Sequence, residues 1–117
     1  MPGDTLSLVL RWRALQPVAN SYVVFVHLMG PSGVTVVQED SEPRTGEVSR
    51  PTNSWTPGVI VADSHSLTIP SSAAHGTYQL WTGMYLPSNG ERLPVLDAGR
   101  TNAQDNRVFI REIRIGP

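Results

Sequence analysis

The residues able to do chemistry in this 117-residue chain are few and scattered. There are three histidines, His27, His65 and His75, and no cysteine. A histidine base needs a group to orient it and a nucleophile to deprotonate, and no motif supplies that set to His27. A hydrogen-bonded histidine inside or at the rim of the fold is the simpler expectation. Asp40, Asp63 and His65 could converge on a metal, since carboxylate oxygens suit Ca²⁺. The dense Asp/Asn loop of a dedicated Ca²⁺ site is missing, however, and carboxylates accepting backbone N–H groups at turns account for these residues better. The histidine spacing does not suit zinc, so no metal or other cofactor is expected. Glycoside hydrolysis requires two carboxylates flanking the scissile bond. Asp40, Glu42, Asp63, Glu91 and Asp97 are available, but no spacing selects a pair. No serine sits in a nucleophile elbow and no glycine-rich loop precedes a helix. The sequence therefore reads as non-enzymatic.

The aromatic residues are better candidates for binding. Trp81 and Tyr85 lie on one face of an alternating run, Tyr78 to Tyr85, and Trp55 lies in a long loop beside Arg50 and Asn53. Aromatic faces next to hydrogen-bonding side chains suit stacking against sugar rings. Packing between sheets competes with that reading, because large aromatics dominate cores; the loop setting of Trp55 argues less for burial. Trp55, Arg50, Asn53, Trp81 and Tyr85 are the candidate ligand-binding residues. Trp12, which shares its face with Leu6, Leu8 and Leu10, reads as core.

Composition narrows the partners. The formal net charge is -1, with nine basic residues, all arginine. Neither a phosphate backbone nor an anionic membrane surface is an expected partner. Arginine offers planar, bidentate hydrogen bonding and stacks on aromatic rings, which keeps a polar ligand open. The lack of cysteine rules out disulfides and thiolate metal sites within these residues. No apolar run reaches the roughly 18–20 residues of a membrane span. Pro2-Gly3-Asp4 opens directly onto a strand and Ile115-Gly116-Pro117 ends the chain abruptly, as expected of a module cut from a longer protein.

The elements that must position these residues are strands. Apolar–polar alternation recurs throughout, with Gly and Pro between the runs rather than inside them. Strands are expected at Thr5–Arg13, Tyr22–Met29, Val34–Asp40, Val59–Ile69, Thr77–Tyr85, Glu91–Leu96 and Arg107–Ile115. The polar set Asp63 to Ser66 predicts a bend in the Val59–Ile69 strand. Pro94 argues for an edge position, and a parity change between Ile110 and Ile113 predicts a β-bulge near Arg111-Glu112. Ser41–Gly58 is unusually long for a connection, and Gly99–Asn106 reads as a polar loop. The expected architecture is all-β: one antiparallel β-sandwich domain over 1–117, immunoglobulin-like or jelly-roll, with about seven to eight strands. Leu8, Leu10, Trp12, Val24, Val26, Tyr78 and Leu80 are the predicted core.

One resemblance covers nearly the whole chain. It rests on Gly3-Asp4-Thr5-Leu6, Leu10-Arg11-Trp12-Arg13-Ala14, Tyr22-Val23-Val24-Phe25-Val26-His27-Leu28, Gln38-Glu39-Asp40, Pro43, Pro51-Thr52, Trp55-Thr56-Pro57-Gly58, Asp63, Pro70, Gly76-Thr77-Tyr78, Gly83-Met84-Tyr85 and Gly90-Glu91-Arg92-Leu93-Pro94. In order and spacing these pieces resemble the C-terminal β-sandwich domain of bacterial multi-spanning membrane glycosyltransferases similar to the dolichyl-phosphate-mannose-dependent protein mannosyltransferases. The resemblance implies a non-catalytic accessory module on the extracytoplasmic face of a bacterial membrane, with the transferase chemistry in a membrane portion outside this chain. Its implied partners are a glycan, bound weakly, or that membrane portion; no nucleic acid and no membrane insertion by the domain itself are implied. A purely structural or protein-interaction domain is the alternative.

Overall fold

Alternation carries almost every apolar run into an antiparallel ladder. The structure, a computed structural model, describes residues 3–94, 103–104 and 106–116. The strands are β1 (Thr5–Arg13), β2 (Val23–Met29), β3 (Thr35–Ser41), β4 (Arg44–Thr45), β5 (Val48–Ser49), β6 (Ile60–Thr68), β7 (Gly76–Tyr85), β8 (Arg92–Leu93), β9 (Ala103–Gln104) and β10 (Arg107–Ile115). The helical content among these residues is a single 3₁₀ turn at Thr52–Ser54. The larger sheet has the order β3-β2-β7-β10-β9, with β8 also paired to β7; β1 and β6 form the second sheet, and β4-β5 a small hairpin. The all-β sandwich expected from the pattern is what forms.

The core lies between the two sheets. Val24, Val26 and Leu28 of β2 meet Tyr78, Leu80 and Met84 of β7, with Val61 and Leu67 of β6 opposite and Ile115 of β10 closing one side. The buried hydroxyl of Tyr78 donates to the Ala74 carbonyl at 2.6 Å, so this large side chain is buried without stranding its polar atom. Four of the predicted core residues, Val24, Val26, Tyr78 and Leu80, are buried. Leu8, Leu10 and Trp12 point inward as expected but stay half-buried. The reason is topological: among the described residues β1 pairs only with β6, so this face is covered on one flank.

Three local expectations change. The β6 strand pairs with β1 from Thr68 to Ile60 with no register shift, so its polar set does not interrupt the ladder. Its polar residues divide between faces: Asp63 and His65 turn inward and are buried, while Ser64 and Ser66 turn out. The bulge in β10 falls between Phe109 and Arg111, one position before the predicted site. Among the described residues ten strands stand where seven to eight were expected, because the long Ser41–Gly58 connection folds its own β4–β5 hairpin and β9 adds a short pairing to β10. Most of Gly99–Asn106 and part of Glu91–Leu96 lie outside the described residues.

The long connection is tied down by side chains. Thr52, fully buried, donates to the Asn20 carbonyl at 2.6 Å and accepts from the Tyr22 N–H at 2.9 Å. The Arg44 N–H donates to Asp63 and the Thr45 hydroxyl to the Ala62 carbonyl, which lays β4 along β6.

Gly83, in the middle of β7, is required by close approach. A Cβ there would sit 2.5 and 2.7 Å from two carbons of the Phe25 ring and 2.9 Å from the Asn106 carbonyl oxygen. Gly83→Ala is therefore expected to destabilise the fold by about 1–3 kcal/mol through overpacking. Urea unfolding measures this; a change below about 0.5 kcal/mol, the scale of a neutral surface substitution, would show that ring and loop move aside freely.

Candidate functional site

Period two puts the chemistry of the large sheet on the face away from the core. Phe25 and His27 of β2, Gln38 and Asp40 of β3, and Trp81, Gly83 and Tyr85 of β7 alternate with the core residues. The register sets Phe25 between Asp40 and Gly83, and His27 between Gln38 and Trp81. Because Gly83 has no side chain, the Phe25 ring lies down against the sheet and is almost wholly covered. It becomes the floor of a shallow pocket of about 240 Å³ lined by Phe25, His27, Gln38, Asp40, Tyr85, Gly90 and Arg92.

Interactions within the pocket hold its walls. The Arg92 guanidinium lies 4.7 Å from the Phe25 ring centroid, a cation–π contact. The His27 ring lies 4.6 Å from Phe25, tilted by 40°. The Tyr85 hydroxyl donates to Asp40 at 2.9 Å. Burial and this bonded carboxylate raise the Tyr85 pKa, so it remains a neutral phenol and a donor. Burial lowers the His27 pKa; Asp40 opposes that, and the charges of Arg92 and Arg107 reinforce it. Neutral imidazole offers one donor and one acceptor. The pocket thus combines an aromatic floor with a carboxylate, an amide, an imidazole, a phenol and a guanidinium.

Trp81 lies next to this pocket. Its indole N–H donates to Gln79 at 3.2 Å, the Phe109 ring meets it edge-on at 5.5 Å, and the Arg107 guanidinium sits 4.3 Å from the ring. One face of the indole is therefore covered by a cation. Trp81 and Tyr85 share the face assigned to them by alternation. Trp55, Arg50 and Asn53 do not join them. Trp55 packs into the inter-sheet core with 8% of its surface exposed, and its indole N–H donates to the Arg50 carbonyl at 2.8 Å. Arg50 is half-buried and Asn53 exposed on the 3₁₀ turn. A cleft of about 910 Å³ opens where Trp12, Tyr22, Trp55 and Leu93 approach one another. It is the larger of the two cavities, with mainly apolar walls and Arg11, Arg13, Gln16 and Asn20 among its lining residues. The smaller pocket is the better-built site.

A second polar cluster, absent from the predicted sites, is buried between the sheets. Asp63 and His65 are two apart on β6 and so share its inner face; Glu39 of β3 turns inward to meet them. The His65 Nε2 lies 2.5 Å from Asp63 and its Nδ1 2.5 Å from Glu39. Asp63 also accepts from the Trp12 indole N–H at 3.0 Å and the Arg44 N–H at 2.9 Å. Asp63 and His65 do meet, though not on a metal, whereas Asp40 lies apart because it projects from the opposite face of β3. Its place is taken by Glu39, and the hub is the His65 ring rather than a metal ion. No group of three or more His, Asp or Glu among the described residues is arranged to hold a metal. Asp97, one of the carboxylates considered for hydrolysis, lies outside the described residues.

Fold and pocket together define an antiparallel β-sandwich domain with a polar, aromatic-floored pocket on its larger sheet. No helix of the described residues is long and apolar enough to cross a membrane. The chain matches no protein-family model, no curated protein and no solved structure at a significant level.

Proposed function

We propose that this domain is a non-catalytic module that binds a neutral, hydroxyl-rich ligand, a carbohydrate, in the pocket over Phe25. The observation behind this reading is the mixture of groups in one shallow pocket: an apolar ring below and Gln38, Asp40, His27, Tyr85 and Arg92 around it. Sugars present a rim of hydroxyls that both donate and accept, which these polar side chains can meet; the Phe25 ring, covered by Arg92, supports the pocket rather than offering a stacking face. Among the described residues Asp40 is the one carboxylate lining the pocket, which favours binding over glycoside hydrolysis, for which two are needed. The resemblance to membrane glycosyltransferase domains supports an extracytoplasmic setting, with the transfer reaction carried out by a membrane portion of a longer protein. The burial of Trp55 and Phe25 and the capping of Phe25 and Trp81 by Arg92 and Arg107 favour the second reading, a structural or protein-interaction domain.

The test is an amide NMR titration with neutral oligosaccharides. Weak binding, at about the millimolar level (near −4 kcal/mol), is expected to shift the amides of Gln38, Asp40, Tyr85 and Arg92. Asp40→Ala should remove the response and leave the fold intact, because Asp40 is exposed. No shift with any glycan at millimolar concentration would establish the structural reading. Shifts centred on Arg50 and Asn53 would move the site to the long connection.

A further inference from the structure

The Glu39–His65–Asp63 cluster joins the two sheets: His65 and Asp63 belong to β6 of the smaller one, Glu39 to β3 at the edge of the larger. Both ring nitrogens of His65 face a carboxylate oxygen at 2.5 Å. Only the imidazolium donates from both nitrogens. A neutral ring would turn a lone pair toward one of the two carboxylates, inside a buried site where that contact is costly.

The two sides of this bridge are unequal. The Asp63 side chain is fully buried and is also held by Trp12 and the Arg44 N–H. The Glu39 side chain is 26% exposed and has His65 as its hydrogen-bonding partner. Among the described residues, other elements bring no competing charge to the ring. β1 places Leu8 opposite His65, and β4 contributes a backbone N–H to Asp63 while the Arg44 side chain is exposed. The charged groups acting on His65 are Asp63 and Glu39.

We infer that His65 is a proton-operated latch between the sheets: charged, it clamps Glu39 and β3 against β6, and on losing its proton it keeps Asp63 and releases Glu39 to solvent. Burial by itself would lower the His65 pKa, but its hydrogen bonds to Asp63 and Glu39 and their charges outweigh burial and raise it. The sign follows. The folded state holds the proton more tightly than the unfolded chain, whose histidine titrates near about 6.5. The stabilisation is complete below that pH and disappears as pH rises through the higher folded value. Alternation along β3 carries the release outward, because Asp40, the next residue after Glu39, is a wall of the pocket. The latch does not depend on what that pocket binds.

Side-chain ¹⁵N NMR of His65 from pH 5 to 9 tests the inference, together with amide protection factors for β3. The expected result has both ring nitrogens protonated at pH 6 and a midpoint above the ordinary histidine value. Protection of the β3 amides should fall as pH rises through that midpoint, because the stabilisation carried by the charged ring is lost there. In Glu39→Gln, which leaves the partly exposed edge without its charge, the midpoint should fall and β3 protection should become flat across the same range. A singly protonated ring at pH 6, a midpoint at or below the ordinary value, or β3 protection that ignores the titration would each overturn the latch.

Discussion

Asp63→Ala is expected to lower the unfolding free energy by about 3–5 kcal/mol, the range for removing one partner of a buried ion pair. The side chain is fully buried and holds three donors: the His65 ring, the Trp12 indole and the Arg44 N–H. Alanine leaves the imidazolium without one of its two carboxylates and strands a half-buried indole N–H. It also removes the Arg44 tie between β4 and β6, leaving the Thr45–Ala62 hydrogen bond to hold that hairpin. Urea unfolding at fixed pH measures the loss, and the loss should shrink as pH rises above the His65 titration, since part of it is the interaction with the charged ring. A loss under about 1 kcal/mol, with the same value at pH 6 and pH 9, would show that water replaces the carboxylate easily.

Trp55→Ala should be comparably damaging, at about 3–5 kcal/mol, as for other buried large aromatics. Its ring packs within the core, and its N–H secures the backbone at Arg50. The substitution removes a large side chain and the strut under the Ser41–Gly58 connection together. Thermal and urea unfolding give the size of the effect. The glycan titration, run on the folded fraction, separates packing from recognition: shifts at Gln38, Asp40 and Tyr85 should survive. If instead the protein kept its full stability, the ring would not be part of the core and its availability for stacking would be restored.

Trp55 also marks the limit of what the sequence disclosed. Strand identity, sheet class and the two faces of β7 were legible, because alternation is a local property and Tyr78, Leu80 and Met84 separate cleanly from Gln79, Trp81 and Tyr85. The loop position of Trp55 suggested accessibility, but burial there depends on how the connection folds over the sandwich, a non-local matter. The pocket was half-legible. Trp81 and Tyr85 were placed on the right face, whereas Asp40, Gln38 and Arg92 join Tyr85 only through the β2–β3 and β7–β8 pairings. The buried cluster left one signal: Asp63 and His65 two apart on an otherwise apolar strand face. Reading them as an interruption of the strand missed that two polar side chains can satisfy each other and a third across the sheets. Half-burial of β1 was not legible either, since nothing in Leu6, Leu8, Leu10 and Trp12 reveals how many strands will flank them.

The pairing of β1 with β6 bears on how the chain is made. Trp12 and its hydrogen-bonding partner Asp63 are 51 positions apart. At ordinary synthesis rates of about 5–20 residues per second, several seconds pass between the appearance of the first strand and that of the only described strand that pairs with it. During that interval the stripe of Leu6, Leu8, Leu10 and Trp12 has no ladder to join, while β2 and β3 can already close their hairpin. Early exposure of an apolar strand is a recognised hazard for newly made proteins. In this molecule the burden falls on the first nine-residue strand, so its neighbourhood on the ribosome matters more to productive folding than its half-buried place in the finished sandwich suggests.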